Sequence, residues 1–200
     1  DVQNEKSIYQ GGYTNRQIFE LIQNAADAAR LSGKSGRIEL RLTDEGVLYC
    51  ANSGEPLSED GLTALQFTRL SPKAKQDVDL IGRFGVGFKS MLAVTDSLTV
   101  YSRSGSVLFD RKIAEKEIRL VVPDCEETPR MRFAFPFDPR EDFLGDAYLA
   151  EVADWADTII KAKIQKKNMK SIRKLLESFP AEFLLFVEHI ESISIFWPQG

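Results

Sequence analysis

Apolar positions first recur at helical spacing over residues 14–31, where Ile18, Leu21, Ile22, Ala25 and Ala28 share one face and Gly33 supplies a stop. The period then drops to two. Over 37–42, Ile38, Leu40 and Leu42 alternate with Arg37, Glu39 and Arg41. Asp44, Glu45 and Gly46 then turn the chain into a second strand over 47–51. A second hairpin is expected from 98–103 and 107–110, around Ser104, Gly105 and Ser106. Met131, Phe133 and Phe135 alternate again, as do Ile193, Ile195 and Trp197. Helical patterns cover 59–67, 87–93, 144–154 and 170–190, the last broken near Pro180. Strands buried on both faces read as unbroken Val, Ile and Leu runs, whereas these show one apolar and one polar face. The layout predicts an α+β fold, a two-layer sandwich of a largely antiparallel sheet with helices on one face.

Composition narrows the function classes. A chain of 200 residues is about one domain, and at that size the core needs no disulfide or metal staple. The formal charge of −4 gives no overall attraction to nucleic acid or anionic lipid. Two distant cysteines, Cys50 and Cys125, and one histidine, His189, cannot supply a Cys/His zinc site and weaken any Ser-His or Cys-His scheme. No apolar run approaches the roughly 18 residues of a membrane span, so no membrane partner is expected. The chain opens at Asp1 without a signal peptide or a methionine, which reads as part of a longer protein in a reducing, cytoplasmic compartment.

Two segments carry candidate chemistry. At 100° per residue, Glu20, Asn24 and Asp27 form a narrow polar ridge beside the apolar face of the first helix. Such a ridge is either a solvated flank or a metal-and-water site. In the second case the Asn24 amide oxygen ligates Mg²⁺, which keeps waters and substrate phosphates in its shell. Glu20, one turn earlier, then orients and deprotonates a water attacking the terminal phosphate.

The second segment is Gly82-Arg83-Phe84-Gly85-Val86-Gly87-Phe88-Lys89-Ser90. It is not a P-loop, because Phe88 separates the last glycine from Lys89, and its glycine spacing is the reverse of the dinucleotide fingerprint. The polar stretch before it, 71–77, lacks the buried strand that both motifs need. It reads either as structural glycines in a tight loop or as backbone N–H groups converging on phosphate before a helix start. Lys73 and Lys75 suit a lid over a polyphosphate.

Glu20-Leu-Ile-Gln-Asn24-Ala-Ala-Asp27-Ala, then Asn52-Ser-Gly54, then the Gly82–Ser90 segment resemble in order and spacing the ATP-binding domain of gyrase, heat-shock protein 90, histidine kinases and MutL. The resemblance is strongest to the heat-shock protein 90 and sacsin-like branch. Thr158 sits where that family places a threonine on a late strand beside the adenine. The stretch Phe183-Leu-Leu-Phe-Val, with His189-Ile and Ile193-Ser-Ile, is similar to the end of sacsin-like domains. The match covers essentially the whole of 1–200, and implies a single domain of the Bergerat type, a mostly antiparallel mixed sheet with helices on one face.

Carried over, the resemblance implies Glu20 as general base, Asn24 as Mg²⁺ ligand and Asp27 as a support. Asn52 would face the adenine, with Gly54 allowing close approach, and Thr158 would complete the purine pocket. Ser71 and Lys73 would belong to the lid, and Gly82, Gly85, Val86, Gly87 and Phe88 would offer backbone to the phosphates. The implied activity is slow, Mg²⁺-dependent ATP hydrolysis coupled to lid closure in a larger chaperone-like protein. Pairing of two copies through the full-length protein, and an unidentified client, are compatible with it. The alternative is a nucleotide-binding switch that does not hydrolyse; the presence of Glu20 favours hydrolysis.

One departure stands out. The heat-shock chaperones place an aspartate where this chain has Asn52, and a glycine where it has Pro56. An amide serves adenine as acceptor, but when flipped it presents N–H to a guanine O6. Other features carry less. The basic residues of 161–174 suit a solvated face better than a nucleic-acid surface, since no aromatics interleave. His189 is expected partly buried near an apolar stripe, Cys50 as packing, and the 13 phenylalanines as filling between layers.

Overall fold

The computed structural model describes residues 16–66, 88–124 and 133–199. Helix α1 (Gln17–Ser32) buries Ile18, Leu21, Ile22, Ala25 and Ala28, the face marked by the spacing, and closes at Gly33 with a φ of 68°. Seven strands follow among the described residues: β1 (Gly36–Leu42), β2 (Val47–Asn52), β3 (Thr95–Ser102), β4 (Gly105–Asp110), β5 (Phe135–Pro136), β6 (Thr158–Ile164) and β7 (Ile190–Phe196). They make one sheet in the order β5-β4-β3-β6-β2-β1-β7. Every pairing is antiparallel except that of β1 with β7. The α+β sandwich on a mostly antiparallel mixed sheet is therefore the architecture observed.

One face of the sheet carries the main core. Leu40, Cys50, Val100 and Ile160 pack with Ile18, Leu21, Ile22 and Ala25 of α1 and with Ile172 and Leu176 of α6 (Lys166–Glu177). Phe19 adds ring contacts to Phe179 at 5.3 Å and Phe183 at 4.8 Å between centroids, so these phenylalanines do fill space between elements. Cys50 is fully buried, and burial pushes its thiol up to about 12, which leaves it inert packing.

Helices α1 and α6 pack on one face, as expected, but the opposite face is not bare. Short helices α4 (Arg140–Gly145) and α5 (Ala147–Ala153) cover a second cluster of Tyr49, Ala51, Tyr101, Leu149, Val152 and Ile159. A single helix over 144–154 was expected; it divides at Asp146, whose carboxylate caps α5 by accepting the Leu149 N–H at 2.9 Å. The expected helix over 170–190 ends at Glu177. A 3₁₀ helix (Ala181–Phe186) follows Pro180, and Ile190 already opens β7. Residues Phe88–Ala93 form a 3₁₀ helix, and helix α2 (Glu59–Gln66) lies where expected. Helix α3 (Arg111–Val121) has no counterpart in the sequence reading, although Ala114, Ile118 and Val121 recur at helical spacing; of these only Ala114 is buried, and Val121 stands exposed. His189 is exposed rather than partly buried: it adopts a φ of 61°, and its carbonyl accepts the Gly36 N–H at 2.8 Å.

Asp146 also holds α5 to the sheet, accepting from the Tyr49 hydroxyl at 2.6 Å and the Lys161 ammonium at 2.7 Å. Burial by itself raises this carboxyl, but bonds from Lys161, Tyr49 and the Leu149 N–H outweigh it and hold the group below its ordinary value. The stabilisation is then complete at neutral pH and is lost as the pH falls below about 3.9, the unfolded carboxyl value. Asp146→Ala should lower the melting temperature at pH 7 while the gap to the parent chain narrows at pH 3. A gap that stays constant over that range would refute the linkage.

Candidate functional site

The polar ridge of α1 turns inward. Asn24 is 7% exposed, Glu20 and Asp27 are half-buried, and only neighbours such as Gln23 and Arg30 stand in solvent. A solvated flank does not bury an amide in this way. Asn24 Nδ2 has no hydrogen-bond partner among the described residues, and an unmet buried donor costs about 1–3 kcal/mol. Asp27 pairs with Arg30 one turn on at 3.5 Å. Among the described residues no hydrogen bond to a side chain engages the Glu20 carboxylate, while its backbone N–H donates to the Arg16 carbonyl at 2.9 Å.

A second group forms at one end of the sheet, where three strands start or stop together. Asn52 ends β2, Thr158 opens β6 and Ser102 ends β3, and the register sets Thr158 opposite both of the others. Two residues further in, the same row holds Cys50, Ile160 and Val100 of the main core. Side chains alternate along a strand, so Asn52, Thr158 and Ser102 lie on the α1 side of the sheet. Ser102 Oγ lies 3.5 Å from Thr158 Oγ1 and accepts the Leu57 N–H at 3.0 Å. Asn52 is nearly buried, and the one hydrogen bond its amide makes among the described residues is a long 3.5 Å contact from Nδ2 to the Ser53 carbonyl. So weak a bond does not fix which way the amide faces.

The loop after β2 joins the two groups. Gly54 has a φ of +145°, and a Cβ there would lie 2.6 Å from the Ala28 carbonyl carbon and 2.7 Å from the Ala29 nitrogen. The Glu55 N–H donates to the Ala28 carbonyl at 2.9 Å. The absence of a side chain at Gly54 thus serves contact with the backbone of α1, one turn beyond Asn24. The opposite wall is Asp157, whose Oδ2 accepts the Gly54 N–H at 2.9 Å.

Of the residues singled out from sequence, the structure brings Asn52 and Thr158 side by side and ties their end of the sheet to the helix bearing Glu20, Asn24 and Asp27. Ser71, Lys73, Gly82, Gly85, Val86 and Gly87 lie outside the described residues. Phe88 begins the 3₁₀ helix that contacts α1. The sequence reading missed Ser90, Ser102 and Asp157. Ser90 is buried in that 3₁₀ helix, and its hydroxyl has no partner among the described residues. For Asp157 the signal was its place immediately before Thr158; for Ser102, the end of an alternating strand.

For the metal, the donor chemistry is the test. Among the described residues no group of three or more His, Cys, Asp and Glu could hold an ion. A single buried amide fits Mg²⁺ that arrives with a polyphosphate and keeps its other positions for phosphate oxygens and water.

Comparison with known proteins finds matches to chaperones over part of the chain. No family model matches the chain. Over 128 aligned residues it is 32% identical to the Chaperone protein HtpG of Shewanella sp. (strain W3-18-1), a match covering 50% of this chain and 20% of that protein. Over 119 residues it is 37% identical to the Chaperone protein HtpG of Paramagnetospirillum magneticum (strain ATCC 700264 / AMB-1), covering 46% and 19%. About half of the chain is similar to chaperones of the heat-shock protein 90 family. The chain spans about a fifth of the length of these curated relatives.

Proposed function

We propose that this chain is an ATP-binding, slowly ATP-hydrolysing domain of a larger chaperone-like protein, within the wider gyrase, heat-shock protein 90, histidine kinase and MutL grouping. The observation that carries the reading is Asn24: a buried amide whose oxygen, the atom that can ligate a cation, has no hydrogen-bond partner among the described residues, on the same ridge as a carboxylate one turn away that also lacks one. The similarity to the HtpG chaperones supports the same assignment.

Asn24 Oδ1 would hold the metal, and Mg²⁺ when bound would offset charge on the phosphate oxygens. Glu20 would orient a water in line with the terminal phosphorus and accept its proton as the new P–O bond forms and the bond to the bridging oxygen breaks. Asp27, held by Arg30, would support the ridge. Asn52 and Thr158 would receive the adenine at the strand ends. Gly82, Gly85, Val86, Gly87 and Phe88 would supply backbone to the phosphates, and Ser71 and Lys73 a lid whose closure communicates nucleotide state. Pairing of two copies and action on a client belong to the same proposal for the full-length protein. Among the described residues no helix is long and apolar enough to cross a membrane.

Calorimetric titration with ATP, with and without Mg²⁺, tests the site. The parent chain should bind more tightly with Mg²⁺, and Asn24→Ala should lose that enhancement. Absence of binding heat from the parent chain under both conditions would overturn the reading.

Asn52 gives a second expectation. A carboxylate there accepts from the adenine amino group and repels the guanine O6, whereas the weakly held amide can face either base. GTP and inosine triphosphate should compete against ATP better in the parent chain than in Asn52→Asp. Equal competition in the two would show that the amide does not relax base choice.

A further inference from the structure

Every backbone and side-chain polar atom of Asp157 is engaged. Its N–H donates to the Asn52 carbonyl at 2.9 Å, and its Oδ2 accepts from the Gly54 N–H at 2.9 Å. Residue 157 therefore grips both ends of Asn52-Ser53-Gly54. Its other carboxylate oxygen accepts from Arg103 Nε at 2.7 Å, and its carbonyl accepts from the Arg103 N–H at 3.1 Å and from Ser102 Oγ at 3.3 Å. One residue thus ties the turn between β3 and β4 to the loop after β2, directly before Thr158. On the other side the loop is wedged against α1, because Gly54 lies flat on the Ala28–Ala29 backbone.

This bracing sits where it can matter for recognition. The Asn52 amide has only its long contact to the Ser53 carbonyl, so its side chain is poorly constrained by hydrogen bonds of its own. What limits it is the backbone on either side, and Asp157 holds that backbone at two points. A carboxylate accepting a backbone N–H is a charge-assisted bond, among the stronger kinds available. The Asp157 side chain is 27% exposed, while its partner Arg103 is 53% exposed; the salt bridge itself is worth little at that exposure. The Gly54 bond is the contact that carries the effect.

We infer that Asp157 is a positioning residue for purine recognition: by fixing the Gly54 amide it sets the backbone of Asn52 and so the presentation of its amide to the base. The inference rests on the nucleotide-binding reading of this site. It assigns Asp157 no contact with substrate and no part in hydrolysis.

The test is nucleotide titration of the full chain with ATP and with GTP, for the parent, Asp157→Ala and Asp157→Asn. Asp157→Ala removes the acceptor for the Gly54 N–H. Its ATP affinity should fall by about tenfold, and the ATP-over-GTP preference should fall at least about threefold, a smaller share of the same energy. Partial unfolding lowers both affinities alike and leaves that ratio unmoved. Asp157→Asn keeps one acceptor oxygen, which can serve Gly54 without the charge while the amide nitrogen faces the Arg103 donor, so its preference should fall by less than in Asp157→Ala. An unchanged preference in Asp157→Ala overturns the inference. So does a preference lost in Asp157→Asn while exchange of the Gly54 amide hydrogen stays slow, a result readable even if the alanine variant does not fold. A parent chain that binds neither nucleotide defeats the underlying reading instead, and does so before any variant is compared.

Discussion

Glu20→Ala should reduce ATP turnover by about 10² to 10⁴, the usual contribution of a positioned general base. The half-buried carboxylate lies on the inward ridge of α1, one turn before the buried Asn24, and among the described residues it has no hydrogen bond that a structural role would require. Its removal should therefore cost little stability, within about 0.5 kcal/mol, as at sites outside a packed network. Binding should survive, so single-turnover hydrolysis and calorimetric affinity will separate: the first collapses and the second holds. Equal hydrolysis by parent and variant would leave only the reading of a switch that closes on nucleotide without turning it over. Glu20→Gln, which keeps shape and hydrogen bonding but cannot take the proton, should behave like alanine in rate.

Gly54→Ala is the substitution with the largest expected effect on stability. A methyl there meets three backbone atoms of α1 at 2.6 to 2.8 Å, and no side chain stands by to give way. The residue must also hold a φ of +145°, which an L side chain rarely adopts. Backbone strain and overpacking each cost about 1–3 kcal/mol. Together they should destabilise the fold by about 3 kcal/mol or more, lowering the melting temperature by roughly 6–12 °C at this chain length. Gly105→Ala supplies the comparison, because its φ of +150° carries the same kind of strain while a Cβ there meets nothing within 4 Å. Only the strain should register, so it should cost less than half as much. If the two variants melt together, crowding against α1 is not what reserves position 54 for glycine. Because the clash pushes α1 from the strand ends, Gly54→Ala should also weaken ATP binding, whereas Gly105→Ala should not.

Much of the fold could be read from local pattern. The apolar stripe of α1, the alternation of β1 and β2, and the hairpin of β3 and β4 each bury one side, and burial of one side writes a period into the chain. Helix α3 shows that a period need not mark burial: Ala114, Ile118 and Val121 recur at helical spacing, yet only Ala114 is buried. The helix start was also marked: Asp110 caps it by accepting the Ile113 N–H at 3.0 Å. The ridge of α1 was visible as geometry, but whether it faced water depended on elements distant in the chain.

The outer face of β1 shows where sequence pattern stops. Arg37, Glu39 and Arg41 read as the wet side of an amphipathic strand, yet Glu39 is 6% exposed. Its carboxylate accepts from Tyr148 at 2.9 Å and from Arg37 at 2.8 Å, and the Arg41 guanidinium lies over the rings of Tyr148 and Phe196. Tyr148 and Phe196 come from α5 and β7, more than a hundred residues later, and the parallel pairing of β1 with β7 is equally remote. The chain by itself determined the helix ridge, the alternating strands and the class of sheet, because those follow from the spacing of neighbouring residues. The tertiary structure alone decided that Asn52, Thr158 and Ser102 form one row, that Gly54 is filled by the backbone of α1, and that Asp157 braces the loop between them. Each of these depends on which strand ends meet, and strand register is set by packing between distant segments, for which adjacent residues hold no periodic signal.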